Sequence, residues 1–194
     1  MKHHFFALLS RMKYINRWGL MRSTRPENLS EHSLETAFIA HALCLINNKR
    51  LGGSLNAEKA AVLAMYHDCT EILTGDMPTP VKYDNANIKA VYKQIETAAA
   101  EKLLSHLPED LKADYTEILT PQDDYLKKIV KAADKISALI KCIEEGGMGN
   151  NEFSVAEKST RKLIDELNMP EVEIFMTEFL GSYGLTLDEQ SRHS

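Results

Sequence analysis

Residues 57–73 read AEKAAVLAMYHDCTEIL. Apolar side chains fall on almost every side of a helix drawn through this stretch. The pattern therefore predicts a central helix, capped by Asn56 and running from Ala57 to about Leu73. The same stretch carries His67, Asp68 and Glu71. Adjacent helical residues point about 100° apart, so His67 and Asp68 can reach one point beside the axis. Glu71 lies one turn further along the face of His67. Ionisable groups in an apolar helix are costly to bury without a partner. Imidazole nitrogen plus carboxylate oxygen is a ligand set that suits a divalent transition metal.

Outward from that helix, the dominant period is helical. Phe5, Leu8, Leu9, Met12 and Ile15 predict an amphipathic helix ending near Asn16. Residues 17–29 hold Gly19, Pro26 and Asn28 and read as loop. Asn28 with Glu31 reads as a capping box, with Ser30 as a rival cap. Behind it Leu34, Ala37, Phe38, His41 and Leu45 mark the apolar face of a second helix, which Gly52-Gly53 ends. On this reading His41 is a core residue. Thr74 to Pro80 is loop, because Pro78 and Pro80 exclude helix. Ile88, Val91, Tyr92, Ile95, Ala99 and Leu103 predict a long helix to about Leu107, and Pro108 starts a shorter one. Asp123 or Asp124 caps a helix carrying Leu126, Val130, Ala133, Ser137 and Ile140, stopped by Gly146-Gly147. Two helices follow, about 152–167 and 171–180, with Pro170 at the start of the second. Ile174, Phe175, Phe179 and Leu180 on these are candidates for packing or dimerisation. No segment alternates with period two. The expectation is an all-α chain forming one domain over residues 1–194.

The chain has 194 residues and a net charge of −5, with 44% hydrophobic and 26% charged residues. That composition argues against disordered, collagenous and membrane-spanning classes. The longest apolar run, Ala60 to Tyr66, is far too short to cross a bilayer. Cys44, Cys69 and Cys142 form no CxxC pair, and their odd number argues against a disulfide framework. A reducing cytoplasm is the expected location. The first 26 residues carry six basic and no acidic side chains, whereas the rest of the chain is acidic. A nucleic-acid chain would need a basic stripe on a basic protein. A local basic segment suits a small anion instead. A transit peptide is the rival reading of that segment, and Phe5 to Leu9 is too short for a secretory signal.

Two more residues complete a pattern. His32 opens the second helix, and Asp134 interrupts the apolar run Ile129 to Ile136. Alone, each reads as an ordinary core or surface residue. The order is informative: His32, then His67-Asp68 some 35 residues later, then Asp134 some 66 beyond, each on a predicted helix.

This H…HD…D order resembles the signature of the HD-domain metal-dependent phosphohydrolases. Further segments resemble, more specifically, the bacterial HD-domain 5′-deoxynucleotidases. These are Ile15 to Trp18, Glu27 to Ser33, Ala64 to Asp68, Glu71, Thr74 to Tyr83 and Gly149 to Phe153. The resemblance runs from about Phe5 to Glu189. It implies a single-domain HD-type helical bundle that dimerises and hydrolyses 2′-deoxynucleoside 5′-monophosphates. By matched position it implies that His32, His67, Asp68 and Asp134 bind the metal, Arg17 holds the phosphate, and Trp18 lies against the sugar. Asp76, Met77, Pro78 and Thr79 would line the nucleoside side, and Glu71 would handle the attacking water or the leaving oxygen.

The chemistry of these residue types agrees. A metal lowers the pKa of bound water and supplies hydroxide near neutral pH. Phosphoryl transfer spreads charge over oxygens that a guanidinium fork can stabilise. Glu71 is either a general acid or base or a partner orienting His67. Trp18 is either a core anchor or a flat wall beside C2′ that rejects a ribose hydroxyl, as an apolar pocket alone does poorly. One divalent ion is expected, of the cobalt, manganese, zinc or copper kind, because no second histidine set can be assembled. His3, His4, His106 and His193 have no partner spacing, and Cys69 reads as packing. P-loop, HExxH and GxSxG motifs do not occur. The alternatives are an HD phosphohydrolase acting on a triphosphate or signalling nucleotide, and a non-catalytic metal-binding helical scaffold.

Overall fold

The structure, a computed structural model, describes residues 2–78 and 85–192. The described helices are α1 (Phe5–Leu9), α2 (Leu29–Arg50), α3 (Ala57–Tyr66), α4 (Glu71–Thr74), α5 (Ala86–Leu104), α6 (Glu109–Leu119), α7 (Asp124–Gly147), α8 (Ser154–Asp165), α9 (Pro170–Glu178) and α10 (Leu187–Gln190). Short 3₁₀ turns lie at Ser10–Tyr14, Asn151–Phe153 and Leu180–Gly184. Among the described residues the β pairing consists of one antiparallel bridge, Asn16 with Asn28. The all-α expectation holds.

The long helices start where their caps predict. The Asn28 side chain accepts from the Ser30 and Glu31 backbone N–H groups, so Asn28 and not Ser30 caps α2. Asp123 accepts from Tyr125 and Leu126 and caps α7. Such caps satisfy donors that the first helical turn leaves open. Along α7, Leu126, Val130, Ala133, Ser137 and Ile140 are all buried, as their spacing predicts. The main core packs α7 against α2, α3 and α9 through Leu43, Cys44, Leu63, Ile136, Ile140 and Phe175. A second cluster joins Phe5, Met12, Leu29, Cys69, Leu103 and Leu107. Cys69 thus pins the turn after His67-Asp68 from behind. Its burial, and then Asp68, push its thiol up to about 12, so it is inert packing as expected.

Three expectations need correction. The first helix converts to a 3₁₀ turn at Ser10, short of Asn16. The central helix stops at Tyr66, and residues 67–70 form turns. Bonds there run from Cys69 N–H to the Tyr66 carbonyl and from Glu71 N–H to the Asp68 carbonyl, three residues back. This tightening carries the polar residues out of the apolar helix. On α2 the expected core stripe is largely the outer one: Leu34, Phe38 and Leu45 are 49%, 66% and 40% exposed. His41 is half-buried, while His32, Thr36, Ile39, Leu43 and Ile46 face the core. Apolar residues surround α2, so its periodicity selects no single face. At the other end of the chain Phe175 and Leu180 are buried and Ile174 packs on the core, while Phe179 is exposed.

Candidate active site

Three elements deliver four side chains to one point. His32 comes from the first turn of α2, His67 and Asp68 from the turn after α3, and Asp134 from the middle of α7. One ligand atom each from His32, His67 and Asp68 lie within 4.8 Å of one another. Asp68 Oδ2 is 3.1 Å from His67 Nε2 and 3.6 Å from His32 Nε2. Asp134 Oδ1 is 3.1 Å from His32 Nε2 and 3.9 Å from His67 Nε2. Three of the four expected ligands thus form a close group, and Asp134 lies against its two imidazoles.

Each imidazole is held from its far side. His67 Nδ1–H donates to the Ala64 carbonyl at 2.7 Å, which turns Nε2 toward the cluster. That Nε2 is buried and makes no hydrogen bond of acceptable geometry. His32 Nδ1 lies 3.0 Å from Ser137 Oγ, and its ring is fully buried. Burial depresses His32, and the Arg17 charge adds to that. Burial also opposes charge on His67, but the Asp68 and Asp134 carboxylates outweigh it and raise its pKa well above the ordinary value. Burial would raise Asp68, yet His67 holds it down at about 2. Asp134 is likewise held well below the usual range, its burial outweighed by both histidines. A buried imidazole nitrogen without a hydrogen bond, set between two ionised carboxylates and a second imidazole, fits a divalent cation.

Arg17 sits beside this cluster, with Nη2 3.8 Å from Asp134 Oδ1 and Nη1 3.0 Å from Glu27 Oε2. Trp18 Nε1–H donates to the same Glu27 oxygen at 3.0 Å. The Trp18 ring packs edge-on against Phe153, with centroids 5.2 Å apart. Its backbone has φ +60°, a region where a bulky residue is strained. The Asn16–Asn28 bridge and the Arg17 N–H to Glu27 carbonyl bond hold it there. Burial raises the pKa of the Asp76 carboxylate against the pull of Arg17 and of the Trp18 backbone N–H. Met77 and Pro78 follow, half-buried. Thr79 lies outside the described residues, as do Pro80 to Tyr83 of the matched segment. Glu71 is buried at the start of α4. Arg22 and Arg25 do not join the cluster: Arg22 pairs with Glu152, and Arg25 lies 3.7 Å from Glu31.

Several contributors were not identified as such from sequence. Ser137 stood among apolar positions of α7, and its polarity on a core face was the available signal. Glu35 lies three residues past His32, as Ser137 lies three past Asp134, so each shares a helix face with a ligand. Glu27 was visible only within a matched segment. Glu145 had no signal. It accepts from Thr24 and Arg25 backbone N–H groups, Lys141 Nζ and Asn150 Nδ2, and so fastens loop 17–28 to α7.

A family model described as 5′-deoxynucleotidase YfbR-like matches residues 4–183. A 5′-deoxynucleotidase of Vibrio parahaemolyticus is 54% identical over 190 residues, covering 97% of this chain and 98% of that one. One from Pectobacterium atrosepticum is 51% identical over 195 residues, covering 98% and 97%. Among solved structures, an HD-domain phosphohydrolase from Listeria innocua superposes with a TM-score of 0.81 at 23% identity, covering 93% of this chain and 88% of that one. The HD phosphohydrolase of cyanophage S-2L, described as bound to dA and one catalytic Zn2+ ion, gives 0.66 at 18%, covering 92% and 95%. These two likenesses concern the fold.

Proposed function

The chain belongs to the 5′-deoxynucleotidase YfbR-like family, and from that premise we propose that it hydrolyses 2′-deoxynucleoside 5′-monophosphates at the His32–His67–Asp68–Asp134 cluster, with one divalent transition metal and with rejection of ribonucleotides. The observation that carries the reading is the close group of His32, His67 and Asp68, with Asp134 against both imidazoles and beside a buried arginine. The described sequence neighbours bear the deoxynucleotidase name, and the cyanophage structure holds one zinc ion and a deoxynucleoside.

In this reading His32, His67, Asp68 and Asp134 hold the ion, which when bound supplies Lewis-acid polarisation and a lowered pKa for water. Arg17 faces the phosphate. Burial works against its charge, and Glu27, Asp134 and Asp68 more than offset that, so it stays protonated. One arm is tied to Glu27, which fixes the plane of the guanidinium fork. Trp18, fixed at its Nε1 by Glu27 and at its ring by Phe153, forms a rigid wall beside the sugar. A rigid wall excludes a 2′-hydroxyl by overlap, which a compliant apolar pocket does not. Asp76, Met77, Pro78 and Thr79 line the nucleoside side. Glu71 moves a proton to or from the water or the leaving oxygen.

The test is phosphate release from dAMP, dCMP, dGMP, dTMP and dUMP beside AMP and CMP, with and without added metal. Deoxynucleotides are expected to turn over and ribonucleotides to lag; Trp18→Ala should narrow that gap. Equal turnover of AMP and dAMP by the unmodified enzyme sinks the selectivity, and full activity of Asp68→Ala sinks the metal assignment.

The rest of the reading follows from the outside of the molecule. Among the described residues no helix is long and apolar enough to cross a membrane. The three buried free cysteines support a reducing cytoplasm, and the acidic balance speaks against a nucleic-acid partner. The exposed stripe Leu34, Phe38 and Leu45 suits a homodimer of single-domain subunits. Light scattering of wild type and Phe38→Glu checks it: a monomeric wild type refutes the dimer.

A further inference from the structure

His32 is held from behind by residues that none of the chemistry above uses. Its Nδ1 is 3.0 Å from Ser137 Oγ, and that hydroxyl donates to Glu35 Oε2 at 2.5 Å. A serine hydroxyl has one proton. Since Ser137 gives its proton to an ionised Glu35, it must receive one from His32, so Nδ1 carries a proton and any proton on Nε2, shared with Asp134 at 3.1 Å in the empty cluster, is the one that a cation displaces. Nε2 is the atom that faces Asp68 and Asp134. Glu35 lies one turn past His32 on α2, and Ser137 one turn past Asp134 on α7. The chain Glu35–Ser137–His32 therefore crosses between the two helices that supply the first and last members of the quartet.

We propose that Glu35 and Ser137 are positioning residues that fix the tautomer and ring plane of His32 for metal binding. This rests on the metal reading above. A buried imidazole can otherwise carry its proton on Nε2, where it blocks a cation, and outer partners of a ligating histidine commonly set this choice.

Two readouts test it without turnover. In metal-free protein, nitrogen NMR of the His32 ring should report Nδ1–H in wild type and a mixture of tautomers in Ser137→Ala. Affinity for Co2+ and Zn2+, read by competition with a chromophoric chelator, should fall about tenfold or more in Ser137→Ala and in Glu35→Ala. Glu35→Gln keeps an acceptor for the Ser137 hydroxyl and should recover most of the affinity. Because Glu35 acts through Ser137, the double alanine variant should bind no more weakly than Ser137→Ala. Melting of the metal-free proteins separates packing from positioning. A variant that melts lower but binds metal like wild type makes Ser137 structural only and overturns the relay. A wild-type His32 ring that lacks a proton on Nδ1 overturns it as well. Wild type that binds neither ion overturns the metal reading and removes the relay's purpose with it.

Discussion

A single carboxylate oxygen, Glu27 Oε2, accepts from both Arg17 and Trp18 at 3.0 Å. The proposed phosphate ligand and sugar wall therefore share one anchor, and their errors should be correlated. Hydrogen bonds to a charged group contribute about 1.5–3 kcal/mol, which corresponds to roughly 10–100-fold in a rate ratio. Glu27→Ala should lower kcat/KM for dAMP by about that factor and relax the rejection of AMP at the same time. Steady-state kinetics on the paired nucleotides decide it: loss of dAMP turnover with AMP rejection intact shows that Trp18 does not depend on Glu27. His67 and Asp68 could be read from sequence as ionisable types in an apolar helix, His32 and Asp134 only from their order with that pair, and Arg17 only from the resemblance of the segment that holds it. Glu27 and Ser137 could not, because a hydrogen-bond partner is chosen by three-dimensional approach and leaves no period in the sequence.

At the scale of elements, the part that matters most is loop 17–28, which has almost no regular structure yet carries Arg17 and Trp18. The C-terminal end of α7 and the segment after it hold it in place. Asn150 Nδ2 donates to the Arg22 carbonyl and to Glu145, Glu152 pairs with Arg22, and Phe153 backs Trp18. That explains why the Gly149 to Phe153 segment forms part of the matched pattern although none of it joins the metal cluster. Glu145 and Lys141 at the centre are 1% and 5% exposed and 2.6 Å apart. Burial opposes ionisation of Glu145, but the Lys141, Thr24 and Asn150 bonds dominate and depress its pKa far below the ordinary 4.5. A depressed carboxylate contributes its stability in full above the unfolded value and loses it as pH falls through the folded one. Glu145→Gln strands a buried lysine and should cost about 3 kcal/mol at pH 7. The gap from wild type should narrow progressively as pH falls below 4.5, because the unfolded chain takes up a proton at Glu145 there while the native protein still holds it ionised. Urea melts at neutral and acidic pH measure this, and a gap constant with pH refutes the charge argument. Sequence placed α7 and its caps correctly, since one face of α7 is consistently apolar. It misplaced the exposed face of α2 and the end of α3, where apolar residues on all sides leave packing to choose.

For the molecule as a whole, the quartet joins α2, the turn after α3, and α7, the elements around which the main core is built. A cation there stitches together segments about 100 residues apart in sequence without adding any apolar contact. It also changes the electrostatics of the empty cluster, where two carboxylates sit beside His67 and a charged Arg17. A ligand that binds only the folded chain stabilises it by RT ln(1 + [L]/Kd), about 2.7 kcal/mol at a hundredfold excess over Kd. For a chain of this length, that amounts to a rise of roughly 5–10 °C in Tm at two to four degrees per kcal/mol. Chelation should therefore lower the melting temperature by several degrees, and stoichiometric Co2+ or Zn2+ should restore it. The response should vanish in Asp68→Ala, which keeps the fold but lacks a ligand. It should persist in Glu27→Ala, which disturbs substrate contacts and leaves the quartet alone. The two variants thus separate metal as a structural staple from metal as a partner of the substrate. A melting temperature indifferent to chelator in wild type, with deoxynucleotide hydrolysis still abolished by it, would assign the ion to chemistry alone and leave the apolar core and the Ser137 hydrogen bonds to tie α2, α3 and α7.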